Sequence, residues 1–275
     1  MMESTAGDEA VIESLREVWA SVADACRQLD ENQWALPTYC PGWSVRDQIS
    51  HLIGVERTLL GDPAPQPVSE VPPHVKNPIG EMNELWIEVR RDTPGSEVLA
   101  ELVDTTDRRL AALRALPPAK FDEVGWSPIG QVPYREFMGT RVLDSWAHEQ
   151  DVRRALDRPG GRNGAGETLV LERCAGAMAY VVGKKVKPPE GSTILFEVSG
   201  ELGRQVPVMV EGGRARVAPE VPTDPTVTLA MDQEAFWRLG FGRATAAEVL
   251  ASGQADVAGD VALGRQVLES MSFMI

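Results

Sequence analysis

Arg141-Val-Leu-Asp144-Ser-Trp-Ala-His148-Glu-Gln-Asp151, inside an apolar-patterned run over residues 134–156, is the stretch on which the reading of this chain turns. A helix turns once per about 3.6 residues, so Asp144 and His148 lie on one face, one turn apart. A second apolar-patterned run over 45–60 carries His51, and the chain has only one further histidine, His74. A carboxylate and an imidazole from one helix with an imidazole from a neighbour make three ligands for a divalent metal. The fourth position is left for water or substrate, the layout of a catalytic rather than a structural site. The competing reading is an ordinary ion pair, in which the carboxylate of Asp144, close to the apolar positions Phe137, Met138, Val142, Leu143, Trp146 and Ala147, is satisfied by Arg141 or Arg153.

The rest of the chain limits the alternatives. At 275 residues with 43% apolar content it is long enough for two domains with real cores. No apolar stretch reaches the roughly 18 residues of a membrane span, and Met1–Ala10 is acidic and small rather than basic and then apolar. Neither a signal peptide nor a membrane partner is expected. A net charge of −14, from 41 acidic against 27 basic residues, repels nucleic acid and anionic membranes and leaves a small molecule or a protein as the partner. Cys26, Cys40 and Cys174 are odd in number and far apart, which argues against a disulfide framework and against a cysteine-based zinc site and fits a cytoplasmic location.

Helical periodicity predicts helices over 9–30, 45–60 with Ser44 as N-cap, 82–89, 96–116 with Ser96 as N-cap, and 134–156. Four of them suit an antiparallel bundle. Six prolines in Gly61–Pro78, Pro78 included, exclude regular structure there, and the segment, which carries His74, is expected as a mobile lid beside a site. Residues 121–133 read as a loop. A glycine-rich break at 160–166 precedes one more helix over 169–186, and the domain boundary is placed at 187–191. Beyond it the period changes to two: strands are expected at 193–199, 205–210, 215–218 and 226–231, then helices at 233–239, 244–251 and 261–272. The fold class is therefore α+β in two domains, 8–186 and 191–275.

The run Cys40-Pro-Gly-Trp-Ser-Val-Arg-Asp-Gln-Ile-Ser-His51-Leu, with the Asp144 to Asp151 run and the separation between them, resembles the N-terminal domain of the mycothiol-dependent maleylpyruvate isomerase family, a DinB-like metal-binding four-helix bundle, over roughly 8–185. Thr226-Val-Thr-Leu-Ala-Met-Asp, Gly253-Gln-Ala-Asp-Val and Gly259-Asp resemble the sterol-carrier-like domain found C-terminal to such bundles. The resemblance implies a metal, usually zinc, on His51, Asp144 and His148. It also implies mycothiol as thiol cosubstrate and an arginine of the second domain that binds a substrate carboxylate. Arg243, read as opening a helix of the second domain, is the candidate and Arg238 the competitor. The chain departs from the isomerase in placing Asp144 where that enzyme has glutamate, one methylene longer.

A metal-held thiolate serves two reactions, cis–trans isomerisation of a small electrophile or S-transfer to it. The same residues leave open two other readings. One is a metal-stabilised carrier of a hydrophobic ligand without chemistry, in which Asp151 or Glu149 would close the metal's shell. The other is a non-haem iron oxygenase built on two histidines and a carboxylate. Asp151, one turn beyond His148, reads either as the acceptor of that histidine's other N–H or as a surface residue beside Arg154. Glu149 reads as solvent-facing, Trp43 and Trp146 as bundle packing, and Cys40 as a buried turn residue. An active site in the cleft between the domains, with Arg243 directed at the metal, completes the expectation.

Overall fold

The computed structural model describes residues 2–66, 71–162 and 164–274; residues 67–70 of the expected lid lie outside it. The chain divides into two compact units between Glu167 and Thr168.

The first unit contains α1 (Met2–Ala25), α2 (Glu31–Trp34), α3 (Val45–Leu60), α4 (Pro78–Glu88), α5 (Gly95–Arg114), the hairpin β1 (Val124–Ser127) and β2 (Gly130–Pro133), and α6 (Tyr134–Ala155). Helices α1, α3, α5 and α6 form the bundle: α1 lies on α5 and α6, and α3 on the same two. Helix α3 starts where the sequence says it should. Ser44 and Asp47 form a capping box, Gly61 ends the helix in the left-handed region at φ 81°, and Val45, Ile49, Leu52 and Ile53 are all buried on one side. Helix α6 is different: nearly every residue from Met138 to Val152 is buried, on all sides, so its polar groups must find partners inside the protein.

Two local expectations fail here. Ser96 is not a cap: α5 begins at Gly95 after Pro94, and the carboxylate of Glu31 accepts the Gly95 N–H at 2.9 Å. That cap comes from a residue 64 positions away, which local pattern cannot reveal. Residues 121–133 are not a plain loop, because β1 and β2 pair antiparallel across Ser127 and Gly130, in strands too short to show an alternation.

The second unit holds most of α7 (Ala165–Tyr180), a π-helical turn (Val181–Val186), β3 (Thr193–Ser199), β4 (Arg204–Glu211), β5 (Arg214–Val217), β6 (Val227–Asp232), α8 (Gln233–Gly240), α9 (Ala246–Ala251), β7 (Ala255–Gly259) and α10 (Val261–Ser270). The five strands run in the order β5-β4-β3-β6-β7, with only β3 and β6 parallel. Phe196, Phe236, Trp237 and Phe241 fill its core. The unit division lies some 20 residues before the expected boundary at 187–191. The π turn after α7 packs on β5 and α10, and at Gly183 an added Cβ would sit 2.9 Å from that of Ala215, so this segment is anchored to the sheet. The glycine-rich break is where the division falls. Strand β7, unanticipated, pairs with β6 over the Ala-Asp-Val stretch noted in the sequence.

Candidate metal centre

Helices α3 and α6 bring His51, Asp144 and His148 together. Asp144 Oδ2 lies 3.3 Å from His51 Nε2, and its Oδ1 lies 3.6 Å from His148 Nε2. The two imidazole rings meet edge to face at 4.6 Å. The three ligand atoms are all within 4.8 Å of one another, close enough to share one ion. Both histidines are buried while Asp144 keeps 20% of its side chain exposed, so the cluster has one open side. Two imidazole nitrogens and one carboxylate oxygen on one small volume suit a borderline divalent cation.

The ion pair weighed against the metal is present as well. Arg141 donates from Nη1 to Asp144 Oδ2 at 2.6 Å and from Nε to Glu56 Oε1 at 2.8 Å. The other oxygen of Glu56 accepts from Arg109 Nε at 3.0 Å, and Arg109 reaches the Tyr134 hydroxyl. Two cations and two anions alternate through the bundle. Asp144 Oδ2 thus meets both Arg141 and His51, while Oδ1 faces His148 and takes no part in the ion pair.

The electrostatics favour positive charge at this point. Burial alone would raise the Asp144 carboxyl, but Arg141 and then the two histidines hold it well below the usual carboxylate range. Burial likewise works against a charged His148, yet Asp144 foremost and then Asp151 hold it well above the usual histidine value. His51 is pushed the other way: desolvation outweighs the pull of Asp144 and lowers the ring below the usual histidine value.

The remaining candidates fall as follows. Asp151 is fully buried, with Oδ2 3.6 Å from His148 Nδ1, so it is no surface residue and stands at the ring nitrogen opposite the one facing Asp144. Glu149 is not solvent-facing: it is buried, accepts from Ser21 and Arg153, and burial raises its carboxyl despite those partners. Neither residue closes a shell around the three ligands. Trp146 packs in the bundle and donates to the Gly161 carbonyl at 2.9 Å. Trp43 does more than pack, since its ring lies 5.1 Å from that of His51 and 5.8 Å from that of His148. Cys40 is half-buried, its Sγ 3.5 Å from Asp151 Oδ2. In the second unit Arg243 does not open a helix. It sits in the turn before α9, which Thr245 caps, and donates from Nη1 to the Phe241 carbonyl.

Sequence reasoning missed one cluster. Glu84 of α4, 1% exposed, accepts from Trp43 Nε1 at 2.8 Å and from Arg91 Nη2 at 2.7 Å, and lies 2.8 Å from His74 Nε2. Burial opposes its charge, but His74, Trp43 and Arg91 together hold its carboxyl below the ordinary value. His74 covers Gly42 so tightly that an added Cβ would lie 2.4 Å from Nδ1, and Gly42 itself needs φ of +82°. The cluster thereby fixes the Pro41-Gly42-Trp43 turn beside the two site histidines. The only signal was a histidine in a proline-rich segment.

Comparison with known proteins matches two families in succession along the chain. Residues 15–153 match the family described as mycothiol maleylpyruvate isomerase N-terminal domain, and residues 179–271 match the SCP-2 sterol transfer family. A crystal structure of a mycothiol-dependent maleylpyruvate isomerase aligns over 92% of this chain and 94% of that one, with a TM-score of 0.57 and 14% identity. A mutant form of such an isomerase aligns over the same shares at 0.56 and 15%. At that identity the likeness is one of fold. An uncharacterized protein of Mycobacterium tuberculosis is 29% identical over 131 residues, 46% of this chain and 49% of that protein, so the chain spans about half the length of the curated relatives it matches. With half of its length matched by the first model, and the match holding His51, Asp144 and His148, the chain belongs to the mycothiol maleylpyruvate isomerase N-terminal domain family, joined here to an SCP-2-like domain.

Proposed function

We propose that this protein is a metal-dependent enzyme that activates a low-molecular-weight thiol, mycothiol, for cis–trans isomerisation of a small electrophile or for S-transfer to it. The observation that carries the proposal is the convergence of His51, Asp144 and His148 on one volume with an open side, in a chain of this family. These three residues would hold the cation, with zinc as the assigned metal. A divalent cation bound there lowers the pKa of a thiol beside it and so supplies a thiolate at neutral pH. Arg141 keeps Asp144 ionised and oriented, Asp151 stands where it would accept an N–H from His148, and Trp43 walls the two histidines. Asp144 is shorter than glutamate by one methylene, so a cation held by it would lie nearer α6 or be bound more weakly. Arg243 is assigned to an anionic group of the substrate on sequence grounds, since a guanidinium suits a carboxylate.

Isomerase and transferase share the first step, in which the thiolate adds to the activated double bond. In the isomerase the new single bond rotates and elimination returns the thiol; in the transferase the thiol stays attached. Metal-loaded protein incubated with mycothiol and a panel of cis-unsaturated and other electrophiles, followed by mass spectrometry, separates them. An isomerised product with thiol recovered identifies an isomerase and a stable conjugate a transferase. A panel without turnover, at full metal occupancy, would sink the enzymatic reading.

A carrier function is the second reading, favoured by the SCP-2 sterol transfer match and by a cavity of about 320 Å³ in the second unit, lined by Pro207, Val208, Met209, Val221 and Pro222 among others. Binding of a fluorescent fatty acid with no thiol-dependent turnover would support it.

A further inference from the structure

The His148 ring stands between two carboxylates, and only one of them belongs to the site described so far. Nε2 faces Asp144 Oδ1 at 3.6 Å, while Nδ1 faces Asp151 Oδ2 at the same distance. Cys40 Sγ is 3.5 Å from that Asp151 oxygen, and Cys40, His148 and Asp151 form a second group whose ligand atoms lie within 4.8 Å of one another. Asp151 is wholly buried, and His148 Nδ1 is a buried nitrogen without a hydrogen bond. Around a tetrahedral zinc, a thiolate sulfur at about 2.3 Å and a carboxylate oxygen at about 2.0 Å stand roughly 3.5 Å apart, and an imidazole nitrogen and a carboxylate oxygen roughly 3.3 Å apart. The two spacings to Asp151 need a closure of at most a few tenths of an ångström.

We propose that Cys40, His148 and Asp151 form a second cation position, selective for thiophilic divalent cations, whose occupancy excludes occupancy of the His51, Asp144 and His148 set. A neutral imidazole has one lone pair. Ligation through Nδ1 puts the ring proton on Nε2, where Asp144 accepts it; ligation through Nε2 puts the proton on Nδ1, where Asp151 accepts it. Each carboxylate is a ligand in one state and an acceptor in the other. Charge separates the two positions further. A thiolate and a carboxylate neutralise a dication at the second position, whereas at the first a single carboxylate, already bonded to the Arg141 guanidinium, leaves an excess positive charge. A soft cation therefore moves to the Cys40 side, and the cysteine that spacing alone read as a turn residue becomes a ligand.

Cadmium chloride is the probe, because a cadmium–thiolate bond absorbs in the ultraviolet where cadmium bound to nitrogen and oxygen does not. Titration of the full chain should give one cadmium per chain and a charge-transfer band saturating at one equivalent. The band should persist in His51→Ala and vanish in both Cys40→Ser and Asp151→Asn, while Cys40→Ser still takes up one cadmium through the first set. One equivalent bound without a band, or a band that survives Cys40→Ser, would overturn the second position and leave the first untouched. Two cadmium ions per chain would overturn the exclusion. No uptake in any form would overturn both this proposal and the metal reading above.

Discussion

The two units keep polar groups in opposite ways. Among the described residues, every buried charged side chain lies in the first unit, and the second buries only Ser192 among its polar side chains. The sheet unit is an apolar core, stabilised by area and packing. The bundle is threaded by Arg109, Glu56, Arg141 and Asp144, and by Glu84 with its three partners. Buried ion pairs are poor stabilisers, because desolvation consumes most of the Coulomb gain, so a fold does not need them for stability. One of these chains ends on Asp144 and another on Trp43 beside the two histidines, so both bear on the position of the cluster.

That contrast can be broken most severely at Glu56. Glu56→Gln changes almost no volume but leaves two guanidiniums facing a neutral amide, and should cost the first unit about 3–5 kcal/mol in urea unfolding. Glu84→Gln should cost less, about 1.5–3 kcal/mol at neutral pH, because hydrogen bonds survive while their charge is lost. The pH dependence has a definite sign. The folded-state pKa of Glu84 lies below the ordinary value near 4.5, so its contribution is fully present above that value and is lost as pH falls through the lower folded pKa. Unfolding curves of wild type and Glu84→Gln should accordingly converge in acid, and a gap that widened there would contradict the assignment. In the second unit Phe236→Leu, which removes three carbons from an apolar core, should cost only about 1–2 kcal/mol. If it destabilised its unit as much as Glu56→Gln does the bundle, the distinction between the two cores would fail.

What could be read from sequence follows the same line. The spacing of Asp144 and His148 and the Ser44 start of α3 are local properties, fixed by helix geometry within a turn or two, and were legible. The α+β class followed from the change of period near residue 190. The Glu31 cap of α5, the Glu84 cluster and the approach of Cys40 to Asp151 link residues far apart in the chain, and no periodicity reports them. Glu149 was misjudged because α6 was read as having a solvent side, whereas α1 covers it through Ser21. The side on which residues 168–186 pack was not legible, because a helix followed by a π turn looks the same in sequence whether it packs on a bundle or on a sheet.

The central claim is that His51, Asp144 and His148 bind one divalent cation. The direct measurement is zinc stoichiometry, by elemental analysis of protein dialysed against a small excess of zinc, for wild type, His51→Ala and Asp144→Asn, with circular dichroism to establish that each variant is folded. One zinc per wild-type chain, with affinity falling as pH is lowered because the proton on His148 competes, and at least a tenfold weaker affinity in both variants, is the result expected. Folded wild type without stoichiometric zinc, or variants that bind it as tightly as wild type, would contradict the account.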